Sequence, residues 1–300
     1  MMVILLGKHI LAPQMVAIFE HENVPCRHRE EVGEVVRASS RGPVLLWATD
    51  NRSALLAGFR LRLAGYHVHR YWIGGDVLAI SKVGRLKKRL LVTMSKWTFH
   101  SNTTNAVWLS DELTEAGLES AAMPFGPVCC ANHCPLSPLP SLPYTVLHYS
   151  LPGCDHIYRP ELVAACAAAN PDIAFICIGN PTLEFSARNV KILGSITPDA
   201  MRSLYASSHC LLRVTSHDGL PRMVLEALAH GLDVVTNLPV PHTTQARTAQ
   251  DVVVALGQLM HTSAARNLEA RKWYFETYSA SAWARYWQAR LYEGGSLWSQ

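Results

Sequence analysis

Residues 210–235, CLLRVTSHDGLPRMVLEALAHGLDVV, read as strand, tight loop, helix, tight loop, strand. Residues 210–214 are apolar and β-branched enough for a buried strand. Gly219 permits a sharp turn, and Pro221 suits a first helical turn, where its missing N–H costs nothing. Val224, Leu225, Leu228 and Ala229 form an apolar stripe at helical spacing. Gly231 is placed to end the helix in a left-handed conformation. Two acids, Asp218 and Glu226, stand eight positions apart across the loop-to-helix junction. Glu226 falls roughly 8 Å along the helix axis from its start. A helix N-terminus attracts phosphate. An acid at its mouth and another along its flank suit a ligand with a diphosphate in the middle and hydroxyls at both ends.

The same alternation runs along most of the chain. In the first half, strands are predicted at 3–6, 43–48 and 67–73, with further candidates at 89–93 and 106–109. Helices are predicted at 12–20, at 52–64 with Leu55, Leu56, Phe59 and Leu63 on one face, and at 110–116 with Ser110 as N-cap. Residues 124–143, PFGPVCCANHCPLSPLPSLP, hold six prolines and read as a linker. The alternation resumes with strands at 144–149, 173–178 and 190–193, and helices at 160–169 and 198–207, the latter capped by Thr197. Residues 249–292 are predicted helical and are rich in Trp and Tyr, which read as packing. Apolar strands alternating with helices indicate parallel sheets covered on both faces, an α/β architecture. The expected organisation is an N-terminal Rossmann-like domain at 1–128, a linker at 129–143, a second Rossmann-like domain at 144–270, and a helical segment at 271–300 packing back on the first. In such sheets ligands bind beyond the carboxyl ends of the strands.

Composition narrows the class. The 300 residues are 49% hydrophobic and 17% charged, which supports a large core and argues against disorder. No apolar run approaches the ~18 residues that span a membrane. MMVILLGKHILAP has no basic region ahead of its apolar stretch and is expected to be a buried strand rather than a signal peptide. A net charge of +4 is too small to identify a nucleic-acid binder. The eight cysteines form no C-x-x-C pair. Cys166, Cys177 and Cys210 lie in apolar segments and read as core, and CCANHC at 129–134 is poorly spaced for one tetrahedral ion. No metal site is expected. Thiol-rich composition points to a reducing, cytoplasmic setting.

The string HDGLPRMVLEALAHG resembles the acidic motif of retaining GT-B glycosyltransferases of the large family-4-like group, Glu-x7-Glu followed by a small-residue helix and glycine. Here the first acid is aspartate. The resemblance covers most of residues 144–290 and, more weakly, 1–128. It implies two Rossmann-like domains facing a cleft and a final helix crossing back. It implies hexosyl transfer from a nucleotide-diphosphate sugar, such as a UDP- or GDP-sugar, to a hydroxyl, with retention. Asp218 would contact the donor sugar. Glu226 would hold the ribose, with Gly219 and Leu220 beside it. His217 is placed to touch the sugar or to cap the turn.

In that family an Arg and a Lys after the first strand of the second domain clamp the diphosphate. The loop here, SLPGCDHIYRPE, has Arg159 and no lysine, so Arg213 is the candidate second cation. Gly179 and Asn180 in ICIGNPT, and Gly194 and Ser195 in KILGSI, are the expected base contacts. In the first domain, HRYWIGGDVL is similar to a Trp-Ile-Gly-x-Asp string of some glycosyltransferase-like sequences. There Asp76 is expected to orient the acceptor or to cap a helix. Gly7 and Lys8, with His9, occupy the first strand–helix loop. No Asp-x-Asp metal motif is present, and the family needs none, so cofactor-free, metal-independent transfer is expected.

The acceptor stays open among glycan, lipid, small molecule and nucleic acid, for instance a hydroxymethylated base. GRLKKRLLVTMSK at 84–96 is locally basic and reads as a solvated helix face, a contact with an anionic membrane surface, or a phosphate-tracking patch. A catalytically inactive sugar-nucleotide-binding module is the alternative from another class.

Overall fold

The computed structural model describes residues 3–7, 12–37, 42–47, 50–123, 134–141, 143–263, 265–278 and 280–292. The chain divides into two units, one of residues 1–127 with 278–300, the other of 128–277.

The first unit opens with β1 (Val3–Leu6), α1 (Ala12–His21), β2 (Cys26–Arg29), α2 (Val32–Arg37) and β3 (Val44–Trp47). It continues with α3 (Asn51–Leu63), β4 (Val68–Trp72), α4 (Gly74–Ser81), α5 (Arg85–Thr98), β5 (Ser101–Thr104), α6 (Val107–Glu115) and β6 (Ala121–Ala122). Its strands are parallel, in the order β2-β1-β3-β4-β5-β6. Successive strand side chains point to opposite faces. Val3 and Leu5 therefore pack with Met15 and Phe19 on one face, while Ile4 and Leu6 pack with Val35 and Val44 on the other.

Several expectations for this unit need correction. Residues 89–93 are not a strand but the middle of α5. Leu86, Leu90, Met94 and Trp97 recur at helical spacing across it, a period that the short run RLLVT hides. Residues 106–109 begin α6 instead of forming a strand, with Ala106 as N-cap. Ser110 lies inside that helix, its hydroxyl bonded to the carbonyl of Ser120. The true strand, β5, reads SNTT. Two of its buried polar residues are paired: Trp72 Nε1 donates to Asn102 Oδ1, and Thr104 Oγ1 donates to the Ala106 carbonyl. On α3 the inward face is Ala54, Leu55, Gly58 and Leu61, while Leu56, Phe59 and Leu63 are exposed. Gly58 sets that choice. A Cβ there would meet Phe99 at 2.5 Å and Thr98 at 2.6 Å, so α3 lies against the end of α5 on its smallest side chain.

The second unit contains β7 (Tyr144–Tyr149), α7 (Asp155–Tyr158), α8 (Glu161–Ala169), β8 (Ile173–Ile178), β9 (Val190–Gly194) and α9 (Pro198–Ala206). Then come β10 (Cys210–Arg213), α10 (Arg222–Ala229), β11 (Asp233–Thr236), β12 (Thr244–Gln245), α11 (Ala249–Thr262) and α12 (Leu268–Thr277). The strands are again parallel, ordered β12-β11-β10-β7-β8-β9. The chain builds outward from β7 through β8 to β9, then returns to lay β10 on the opposite side of β7. Cys166, Cys177 and Cys210 sit in the core, where burial pushes the Cys166 and Cys177 thiols up to about 12. Of the proline-rich stretch, residues 134–141 are fastened to this unit. Arg266 donates to the carbonyls of Ser137 and Pro138, and Arg271 to that of Cys134. Cys129 and Cys130 lie outside the described residues.

The chain then returns to the first unit as α13 (Ala280–Tyr292). Trp283 meets Phe19 at 4.9 Å between ring centroids, and Trp287 meets Tyr71 at 5.6 Å. Both tryptophans are buried, so these aromatics serve packing. The chain rejoins the first unit at Tyr278, after α12. No helix among the described residues is long and apolar enough to cross a membrane.

Candidate functional site

In an open parallel sheet the strand order reverses at one point, and the loops leaving the carboxyl ends of the two strands there diverge to opposite faces, leaving a crevice. In the second unit that point lies between β7 and β10. The loop after β10, residues 214–221, carries Asp218, and the segment after β7 carries α7 and Arg159. The two are joined: Ser216 N–H donates to the Ile157 carbonyl at 3.0 Å and Ser216 Oγ to the His156 carbonyl at 2.8 Å. Asn237, just beyond β11, holds the other side through its amide, bonded to both N–H and C=O of Thr215. The acidic loop is thereby pinned from two directions.

Arg213 ends β10 with its side chain buried, and it bonds Asp218 Oδ2 through Nη2 at 2.5 Å and Nε at 3.2 Å. The Asp218 side chain keeps 23% of its surface exposed. The rings of Tyr158 and Tyr149 stand 4.6 and 5.5 Å from the guanidinium carbon. Beneath it, His148 of β7 is fully buried. Desolvation, reinforced by the Arg213 charge, lowers its pKa to about 4, so the imidazole is neutral. Arg213 thus serves first to hold and neutralise Asp218. His217 is half-buried beside Asp218, and Gly219 and Leu220 are buried.

Helix α10 starts at Arg222, with Pro221 as an extended N-cap rather than the first helical residue. Pro221 offers no side chain to cap the first turn. Val224, Leu225, Leu228 and Ala229 are wholly buried. The helix ends in a Schellman arrangement: Leu232 N–H bonds Ala227 C=O, Gly231 N–H bonds Leu228 C=O, and Gly231 has φ +69°. Glu226 sits on the flank with 13% of its side chain exposed. Its Oε2 accepts from the Tyr205 hydroxyl at 2.8 Å and its Oε1 from Arg222 Nε at 2.6 Å.

The remaining candidates of this unit gather at the other strand ends. Gly179 N–H bonds the Gly194 carbonyl at 2.7 Å. Gly179 has φ +90°, and a Cβ there would meet Ser150 O at 2.4 Å, so only glycine lets the ends of β7 and β8 approach this closely. Asn180 is buried, accepting from Thr182 N–H and Oγ1 and donating to Asp155 Oδ1, which is a structural latch. Ser195 is exposed. Arg159 adopts φ +54° at the end of α7 and bonds Glu161 and the Arg247 carbonyl, with no bond to the acidic loop.

The first unit holds the others. Asp76 does not project into an open space, and this corrects the expectation of an acceptor contact. Its side chain has no exposed surface. Oδ1 accepts the Ile73 N–H at the start of α4, and Oδ2 pairs with Arg70 at 3.1 Å. Burial raises its pKa to about 6 even against that cation. Gly7 has φ +141°, and a Cβ there would lie 2.0 Å from the Trp47 carbonyl oxygen. Its carbonyl bonds His28 Nε2 at 2.8 Å, so Gly7 has a packing role. Lys8 and His9 lie outside the described residues. Among the described residues no group of His, Cys, Asp and Glu is placed to hold a metal ion.

Among solved structures, Anabaena HepE in complex with UDP-glucose superposes with a TM-score of 0.73 at 14% identity, covering 97% of this chain and 99% of that one. Sucrose-phosphate synthase from Thermosynechococcus elongatus gives 0.71 at 13% identity over 98% of both chains. The fold is GT-B. TarM gives 0.62 at 12% identity, covering 83% of this chain but 54% of its own. No protein-family model matches the sequence, and no curated protein does.

Within this GT-B frame, three residues went unrecognised in the sequence. Arg222 stands at the first position of α10, four residues before Glu226, a spacing that brings helix side chains together and was there to be read. Tyr205 and Tyr158 come from α9 and α7, and only the fold brings them to Glu226 and Arg213.

Proposed function

We propose that this chain is a glycosyltransferase that moves a hexose from a nucleotide-diphosphate sugar to a hydroxyl acceptor, with retention and without a metal cofactor. One observation carries the reading. Asp218 and Glu226, the two acids of the family-like motif, stand at the carboxyl end of β10 and on the first turns of α10, beside the switch point of the second sheet. The fold is shared almost end to end with a protein whose structure holds UDP-glucose.

In this reading the uncapped first turn of α10 and the Arg222 guanidinium receive the diphosphate, whose negative charge grows as the glycosidic bond breaks. Arg forks match phosphate oxygens. Glu226 accepts from the ribose hydroxyls, exchanging the Arg222 contact for them. Asp218, held in place by Arg213, meets the sugar. The acceptor attacks the face that the diphosphate leaves, and the leaving phosphate takes the acceptor proton. Protein cations and helix dipoles replace a metal, in keeping with the lack of an Asp-x-Asp motif.

The test is release of nucleoside diphosphate from a panel of sugar nucleotides in the presence of a chelator. Release is expected for one donor and should fall at least about a hundredfold in Asp218→Asn, the scale of losing one positioned polar group at a reacting centre. A second reading, a sugar-nucleotide-binding module without turnover, is favoured by the closure of the site on itself, with Arg213 bound to Asp218 and both Glu226 oxygens engaged. Binding without any release, even over long incubation, would select it.

A further inference from the structure

We propose that the outer surface formed by α3 and α5 docks the protein onto an anionic lipid bilayer. Buried helices normally turn their largest apolar side chains inward, and α5 does the reverse. Its inward face is Val92, Ser95 and Thr98, while Leu86, Leu90, Met94 and Trp97 form an outward stripe, with Leu86 85% exposed. On α3, Leu56, Phe59 and Leu63 also face outward. The two stripes are one surface. Phe59 and Trp97 meet at 5.4 Å between ring centroids, Arg62 lies over Trp97 at 5.4 Å, and Gly58 brings the helices together. Of thirteen exposed large apolar side chains among the described residues, seven are here, so the patch is concentrated and not the scatter common on soluble surfaces.

Charge selects the occupant. Around the stripe of α5, helical geometry sets Arg85, Arg89 and Lys96 on one flank and Lys87 on the other. Arg52, Arg60 and Arg62 lie on α3, and neither helix contains an acid. Trp, Phe and Leu at the centre with Lys and Arg at the rim is the make-up of a helix that lies in the plane of a lipid interface, apolar face among the acyl chains and cations among anionic headgroups. A nucleic acid would use the cations but not an exposed leucine stripe. A second copy of this face would set cation against cation.

The experiment is flotation of the full chain with vesicles of phosphatidylcholine alone or mixed with phosphatidylglycerol, comparing wild type with Leu86→Ser/Leu90→Ser and with Lys87→Glu/Arg89→Glu. All four positions are solvent-exposed, and circular dichroism checks the fold of each variant. Wild type is expected to partition onto the mixed vesicles at least about tenfold more strongly than onto neutral ones, since each Lys or Arg near an anionic surface is worth about fivefold. Added salt should weaken that partition. Losing two cations should reduce it at least about 25-fold, and the serine pair should abolish it. Equal partition onto both vesicles, or none onto either, overturns the proposal. So does absence of vesicle binding together with self-association that the serine pair removes, or with duplex DNA binding that the glutamate pair removes.

Discussion

Asp218 and Arg213 hold each other, and the cost of separating them is a direct reading of the site. Asp218→Asn removes the charge paired with the buried Arg213 guanidinium, and is expected to lower stability by about 1–3 kcal/mol, less than for a wholly buried pair because Asp218 is partly exposed. Adding Arg213→Met should restore part of that loss, and a double-mutant cycle in urea measures the coupling. A fully additive cycle would contradict the pairing. Tyr205→Phe removes one hydrogen bond to Glu226 and should cost about 1 kcal/mol. If Glu226 binds ribose, the same change should weaken sugar-nucleotide binding more than it changes turnover. At this scale the two acids were legible, because a carboxylate on either side of a helix start is written in the spacing. Their partners were not. Arg213 is five positions from Asp218 and could be named only as a cation, and Tyr205, 21 positions from Glu226, reaches it only through the fold. Of the two roles open to Asp76, the helix cap is the one its carboxylate fills at the start of α4, and nothing in HRYWIGGDVL tells that Arg70, six residues earlier, turns back to bury with it.

Between elements, the approaches of strand ends are set by glycines. Gly179→Ala combines a φ of +90° with a Cβ 2.4 Å from the Ser150 carbonyl oxygen. It should cost about 2–4 kcal/mol, read as a fall in the denaturation midpoint, with donor affinity lost alongside. A variant as stable as wild type would show that the β7 and β8 ends can separate freely. The strands and helices of the second unit were largely legible because apolar periods are long there and caps are plain: Thr197 accepts from Ala200 N–H, and Gly231 ends α10 with positive φ. The first unit was harder. Its fifth strand is polar, with Asn102 and Thr104 held by side-chain hydrogen bonds, and its α5 carries an apolar period on the side that faces water.

For the molecule as a whole, buried titratable groups set the response to acid. Burial lowers His148 to about 4 and His69 to about 3, from an ordinary 6.5. Below about pH 6.5 the unfolded chain therefore binds protons that the folded chain does not, and stability falls as pH falls. Asp76, raised to about 6, acts in the opposite sense between its ordinary 3.8 and 6, where the folded chain binds the extra proton. Two histidines outweigh one aspartate, so urea midpoints should drop between about pH 6.5 and 4. His148→Leu should remove about 3 kcal/mol of that dependence, and an unchanged slope would contradict the burial of a neutral imidazole. The two-unit α/β plan was legible from the alternation and from the prolines between its halves. The most direct test of the central claim is thermal denaturation of the full chain against UDP-, GDP- and ADP-sugars, with Glu226→Gln in parallel. One donor at about 100 times its Kd is expected to add about 2.7 kcal/mol to wild type and to leave Glu226→Gln nearly unmoved. No shift with any donor, or the same shift in both proteins, would contradict it.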